Sequence, residues 1–418
     1  MKIILAAKSV YPFHPFGGVQ KYVYYFAKHL ALQGMDVEVV APTDAGKQPR
    51  QEKYEGITYT LLDPCIEHYL ELPIGWWGVH QFSFSLARYL KQQQFDVLHS
   101  FDMVGLQYAQ FKDRQPVVAH IFTDNFLSNP ISLFQYASLF GHKTAAISQP
   151  KQMLSPWDGF ASYLQYPAQY LFKVNPMHRY LQASDLVVVE DDSFRHNVAA
   201  TYRLPAPKMA VLPVGVDMAA MATRLKEPAK ISRKDLRISD DAMVLLTVNR
   251  LAADKGVDNA VRALKVILKT KVPARLVIIG KGYGETALHE LIRQENLAEY
   301  VVHIKDVPED QLPEYYRLAD AYICAFSYPG SSVSSLEAMA AGLPIVTTAQ
   351  PWLVKEEADG IVIKDNQPAT IAAAVLTLAN TCRIKSKIVS PHVHKYDWST
   401  ITHQAIAKYR QLQKTGTH

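Results

Sequence analysis

An α/β protein built from two doubly wound parallel sheets is what this 418-residue sequence predicts. Short β-branched runs alternate with segments of helical period, which is the signature of parallel α/β units. The alternation runs through the chain twice. At roughly 100–200 residues per domain, the length also suits two domains that each bury a core. With 49% hydrophobic and 20% charged residues, disordered, collagen-like and disulfide-scaffold classes are excluded.

The first series opens with Lys2–Ala7, an apolar run broken by charge too soon for a signal peptide and read here as a buried strand. Gly18–Gln33 carries apolar residues at helical spacing and stops at Gly34, a natural C-cap. Strands are then expected at Asp36–Ala41, Ile57–Leu62, Val97–Ser100, Pro116–Ile121 and Leu186–Glu190. The prolines of Leu204-Pro205-Ala206-Pro207 interrupt helix and strand alike, so the boundary is expected there. The second series follows, with strands at Met209–Leu212, Val244–Val248, Ala274–Ile279, Val301–Ile304, Ala321–Ala325, Ile345–Thr347 and Gly360–Ile363. Helices fit between them at Gly256–Thr270, Glu285–Glu295, Gln311–Leu318, Val333–Ala341 and Pro368–Ala379. The expected division is therefore 1–205 with 396–418 returning to it, and 206–395. Two facing domains of this kind bind ligand at the carboxyl ends of their strands.

Charge and aromatic residues are divided unevenly. Residues 1–200 hold 16 Lys and Arg against 17 Asp and Glu, and the remaining residues hold 28 against 22. The first 200 residues carry 32 of the 44 aromatics. The second half thus suits an anion, and the first suits aromatic contact with another molecule. A net charge of +5 is too small to imply nucleic acid. No apolar run reaches 18 residues, so no membrane-spanning helix is expected. Cys65, Cys324 and Cys382 form no metal-ligand spacing and suit a reducing cytoplasm. Residues 122–180 break the rhythm. They are aromatic-rich and nearly free of acids, which fits either a helical insertion with its own small core or an acceptor-side or membrane-facing wall.

Three constellations carry chemistry. Gly17 and Gly18 sit between the first strand and first helix, where bare backbone and free amides suit an anion. A third glycine does not follow at the dinucleotide spacing, so a nicotinamide enzyme is excluded. Arg250 closes a strand and Lys255 opens a helix, placing two cations where a diphosphate would gather negative charge. Ser327 to Pro344 runs from a strand through a Gly/Ser loop into a helix. The amides around Gly330, Ser331, Ser332 and Val333 can hold phosphate there, and Glu337 lies about one turn inside to accept from a vicinal diol.

These motifs, with Gly280-Lys281-Gly282 after a strand and Leu336-Glu337-Ala338-Met339-Ala340 before Gly342 and Pro344, occur in an order that resembles the retaining glycosyltransferases of family 4 (group 1). The resemblance implies a GT-B fold with a C-terminal helix crossing back to the first domain, and sugar transfer from a UDP- or GDP-sugar with retention and without a metal or further cofactor. It implies that Arg250 and Lys255 bind the donor diphosphate, Glu337 the ribose, and Gly17, Gly18, Gly280 and Gly282 the donor backbone-first. His120 resembles the family's active-site histidine. The acceptor class it implies is a glycan, a lipid-linked saccharide or a small molecule, in the cytoplasm or at the inner face of a membrane touched weakly and peripherally.

Two positions depart from the family pattern. Pro329 stands eight residues before Glu337, where the family usually carries a glutamate, and Val214 stands where an asparagine is common. The first departure keeps alternatives open: a catalytically idle nucleotide-sugar-binding subunit, or a GT-B nucleotide-sugar epimerase.

Overall fold

The computed structural model describes residues 1–14, 17–43, 47–63, 77–111, 113–122, 175–327, 332–348, 353–355, 359–380 and 389–415. Most of the aromatic-rich stretch 122–180 lies outside the described residues. The chain divides into two units, Met1–Leu139 with Met153–Gly215 and Trp398–His418, and Phe140–Gln152 with Val216–Asp397.

The first unit is built on an eight-stranded sheet: β1 (Lys2–Ala6), β2 (Asp36–Pro42), β3 (Arg50–Tyr54), β4 (Ile57–Leu62), β5 (Val97–Phe101), β6 (Val117–Ile121), β7 (Leu186–Val189) and β8 (Met209–Val211). Its order is β3-β4-β2-β1-β5-β6-β7-β8. The pairs are parallel except β3, which is antiparallel to β4. The central strands β1, β5 and β6 are buried on both faces, which explains their largely apolar sequences; His99, Ser100 and His120 are the polar residues buried among them.

Two features of this sheet depart from the sequence expectation. Strand β3 reads Arg-Gln-Glu-Lys-Tyr and has no apolar period. It forms because Glu55 and Gly56 both adopt positive φ, 47° and 80°, in the two-residue turn that opposes Tyr54 to Ile57. Strand β8, expected to open the second series, instead pairs with β7 at the edge of the first sheet, with Val187 opposite Met209. The prolines at 205 and 207 therefore lie inside the first unit, in the turn before β8.

Helices of this unit are α1 (Gly18–Leu32), α2 (Trp77–Leu90), α3 (Leu106–Ala109), α4 (Asn175–Ala183) and α5 (Asp192–Tyr202), joined by the C-terminal helix α12 (Trp398–Thr415). Helix α12 packs on α1 through Trp398, whose ring lies 4.8 Å from that of Tyr22 and stacks on Tyr25 at 6.3 Å. Gln33 donates to the Thr402 hydroxyl at 2.6 Å and Gln413 to Asp96 at 2.9 Å. A Cβ on Gly215 would stand 2.5 Å from the Trp398 ring, so the chain passes against its face without a side chain. Trp398 is 2% exposed. Trp398→Ala is expected to destabilise this unit by about 3–5 kcal/mol, the cost of emptying a large buried aromatic site. Denaturant unfolding followed by the circular dichroism of the unit checks it.

The second unit carries a six-stranded parallel sheet: β9 (Met243–Val248), β10 (Ala274–Ile279), β11 (Val301–Ile304), β12 (Ala321–Cys324), β13 (Ile345–Thr347) and β14 (Gly360–Val362). The order is β11-β10-β9-β12-β13-β14. Its helices are α6 (Met218–Lys226), α7 (Val257–Lys269), α8 (Glu285–Gln294), α9 (Leu312–Leu318), α10 (Val333–Ala340) and α11 (Pro368–Ala379). Val257, Ala260, Val261, Leu264 and Ile267 form one stripe on α7 that is buried in the core with Leu276 and Ile278 of β10. Strand order reverses between β9 and β12 here, and between β1 and β5 in the first unit. Crevices for ligands open at such reversals, at the carboxyl ends of the strands.

Among the described residues, no helix is long and apolar enough to cross a membrane.

Candidate functional site

In the second unit the predicted residues gather at the reversal point between β9 and β12. The backbone after β9 lies directly on the loop after β10: Asn249 donates to Ile279 at 3.0 Å, and Leu251 to Lys281 at 3.1 Å. Gly284 in turn donates to Leu251 at 3.1 Å. This contact accounts for two glycines expected to bind cofactor. A Cβ on Gly280, at φ +139°, would stand 2.0 Å from the Asn249 carbonyl, and one on Gly282 would stand 2.3 Å from the Leu251 carbonyl. Both are required by packing beneath the Arg250 segment. From that bed Arg250 emerges exposed, and among the described residues no carboxylate pairs with it.

Lys255 ends the short helical turn Ala253–Lys255. Its ammonium lies 3.2 Å from Asp254 and 4.1 Å over the Phe326 ring just past β12. Ser327 donates to the Asp254 carbonyl at 2.9 Å, which joins the loop after β9 to the loop after β12. Gly256 follows at φ +63°, and a Cβ there would meet the Ala325 carbonyl at 1.9 Å. Lys255 is thus fixed by a backbone crossing that admits only glycine.

Helix α10 starts at Ser332, whose hydroxyl accepts from the Ser335 amide at 3.2 Å. Ser332 is buried and Val333 half-buried, while Gly330, Ser331 and Pro329 lie outside the described residues. Glu337, 7% exposed, accepts a 2.8 Å hydrogen bond from the Tyr316 hydroxyl. Burial, helped by that carboxylate, raises the Tyr316 phenol well above its ordinary range, so it stays a donor. The Tyr322 hydroxyl lies 2.8 Å from Ser334 Oγ and 3.2 Å from the Val248 carbonyl, tying the first turn of α10 to the end of β9. Sequence reasoning missed Tyr316 and Tyr322. They sit in apolar runs where an aromatic reads as core, and only the tertiary contact shows what the hydroxyls do.

In the first unit, Gly17 caps α1 in ordinary extended backbone (φ −152°, ψ 179°). A Cβ on Gly18 would meet no atom within 4 Å. Among the described residues, neither backbone angle nor packing requires glycine at position 18.

His120 lies near the carboxyl end of β6, one residue before its last, and is fully buried. Its Nδ1 lies 3.0 Å from Nε2 of His99, whose other nitrogen meets the Tyr409 hydroxyl of α12. The ring sits between Tyr22 and Phe122, with centroids at 4.9 and 4.6 Å, and its Nε2 has no partner among the described residues. His99 and Tyr409 were not expected, because nothing in the sequence ties positions so far apart.

Desolvation lowers both histidines: His99 is pushed down to about 3, and His120 well below the usual range, with His99 adding to its shift. The folded state therefore holds them neutral. Their contribution to stability is full above the unfolded histidine range near 6.5 and is lost as pH falls below it towards about 3. The stability of this unit is expected to fall across that window by about 1 kcal/mol per pH unit from His99, with His120 acting in the same direction. His99→Gln should flatten the profile measured by denaturant titration.

A second aromatic group packs near the loop between β1 and α1. Tyr11 meets Tyr24 at 5.3 Å and Tyr54 at 6.0 Å, and Phe13 meets Tyr59 at 5.2 Å. Tyr11, Phe13 and Tyr54 remain partly accessible. Part of the aromatic excess of the first half is therefore spent here.

The chain matches two family models, Glycosyltransferase Family 4 over residues 16–220 and Glycosyl transferases group 1 over residues 229–385. A D-inositol 3-phosphate glycosyltransferase of Kribbella flavida is 26% identical over 56% of this chain and 58% of its own length. The chain spans about half to three-fifths of the length of the first curated relatives it matches. A sucrose-phosphate synthase from Thermosynechococcus elongatus has a similar structure, with TM-score 0.73 and 17% identity over 99% of this chain and 100% of that one. The Anabaena HepE protein in complex with UDP and glucose follows, with TM-score 0.66 and 17% identity over 98% and 99% of the two chains. The fold is the GT-B fold of these proteins.

Proposed function

Because the chain belongs to the family 4, group 1 glycosyltransferases, we propose that it transfers a hexose-type sugar from a UDP- or GDP-sugar to a hydroxyl acceptor, with retention at the anomeric carbon. The observation that carries this reading is the gathering of Arg250, Lys255 and the start of α10 around the reversal point between β9 and β12. The bond between the anomeric carbon and a phosphate oxygen breaks, the acceptor hydroxyl oxygen bonds that carbon on the same face, and the diphosphate leaves with the electron pair and takes up the hydroxyl proton. Arg250 and Lys255 stabilise that developing charge, and Lys255 is held in place beforehand by Asp254 and the Phe326 ring. Glu337, held by Tyr316, accepts from the ribose hydroxyls.

The acceptor belongs to the first unit in this proposal. The partly accessible rings of Tyr11, Phe13 and Tyr54 give a face on which a sugar or cyclitol ring can stack. The Kribbella relative, named for an inositol phosphate, makes a phosphorylated cyclitol the first acceptor to try.

A thermal-shift screen of UDP-, GDP- and ADP-sugars tests the donor assignment. The true donor at 100 times its dissociation constant adds about 2.7 kcal/mol of stability. The product made from that donor should keep the donor's anomeric configuration by NMR. If no nucleotide-sugar raises the melting temperature, the assignment fails.

A further inference from the structure

We propose that Glu285, His289 and His303 form a binding site for a divalent transition-metal ion, with Zn²⁺ the fitting member of the class. One ligand atom from each lies within 4.8 Å of the others. Glu285 and His289 are four residues apart on α8, hence on one face of the helix, and His303 stands on the edge strand β11. His289 Nε2 and His303 Nδ1 are 2.8 Å apart. At bonds of about 2.0–2.2 Å, ligands of a tetrahedral ion stand about 3.3–3.6 Å apart, so small side-chain adjustments seat an ion here.

An independent contact prepares the site. His303 Nε2 lies 2.9 Å from the Gly280 carbonyl and can only donate to it, which leaves Nδ1 unprotonated and turned towards His289. Metal-bound histidines are oriented by this kind of outer hydrogen bond to a carbonyl. Lys305 pairs with one Glu285 oxygen, which leaves the second oxygen of that carboxylate to ligate. Two imidazoles with one carboxylate select a borderline transition ion over Mg²⁺ or Ca²⁺, which take all-oxygen sets. Three protein ligands leave a fourth position to water. The ion would fasten α8 to β11 across the Gly280–Gly284 loop, and this holds whatever reaction the protein performs.

Isothermal titration of untagged, chelator-treated protein with ZnCl₂ tests the proposal, with MgCl₂ as the comparison. One equivalent of Zn²⁺ should bind at micromolar concentration and raise the melting temperature, with no response to Mg²⁺. His289→Ala should weaken that equivalent by at least about tenfold, in line with losses on perturbing metal ligands and their supports. His289 is exposed, so this variant should keep its fold. Glu285→Gln should weaken binding less, and His289→Ala with His303→Ala should abolish it. Absence of micromolar Zn²⁺ binding, or binding unchanged in the double variant, would overturn the site.

Discussion

Lys255→Ala is expected to lower sugar transfer by about 10²–10³-fold, the usual consequence of removing one preorganised group that meets developing charge. The loss should appear in kcat with a smaller change in KM, because charge on the leaving diphosphate grows towards the transition state. Folding should be little affected. The ammonium contacts Asp254 and the Phe326 ring, and such contacts are worth about 1 kcal/mol or less at partly exposed positions. Arg250→Ala should act in the same direction, and Arg250, exposed and without a pairing carboxylate among the described residues, should leave stability unchanged. Transfer within threefold of the wild type in both variants would remove the diphosphate role from this pair.

Gly256→Ala is expected to destabilise the second unit strongly. The residue adopts φ +63°, and the added methyl would stand 1.9 Å from the Ala325 carbonyl oxygen. That atom is backbone at the end of β12 and cannot swing aside. Strain at the angle and displacement of the crossing together are expected to cost about 3 kcal/mol or more. For a unit of this size the melting temperature should fall by about 6–12 °C in calorimetry. Activity should fall too, since Lys255 is fixed by that crossing. Gly18→Ala gives the contrasting result. Among the described residues its methyl meets nothing within 4 Å, so stability should hold or rise by up to about 1 kcal/mol. A melting temperature for Gly256→Ala within 2 °C of wild type would contradict the crossing.

Most strands were legible because parallel strands are short runs rich in β-branched and other apolar residues. Ala274–Ile279, Val301–Ile304, Ile345–Thr347 and Ile57–Leu62 have the bounds expected. Strand β3 was not legible, since an edge strand with one neighbour needs no apolar face and its turn depends on backbone angles. Assigning β8 to a sheet failed for another reason. Proline marks where a chain turns, and the pairing of Val187 with Met209 is a property of the assembled sheet. The site shows the same division. Arg250, Lys255 and Glu337 were visible as charged groups at strand ends and helix starts. His99, Tyr316, Tyr322 and Tyr409 were not, because each acts through a contact between residues remote in sequence.

Sequence by itself determined the doubly wound α/β class, the order of the elements and the positions of the charged groups, because periodicity and local chain breaks are short-range properties. The tertiary structure alone decided why the glycines are there. A Cβ on Gly256, Gly280 or Gly282 would stand 1.9 to 2.3 Å from a carbonyl oxygen of another loop, and among the described residues one on Gly18 would meet no atom within 4 Å. A glycine looks the same in sequence whether a ligand or a neighbouring backbone demands it. Only the distance to the next atom separates the two.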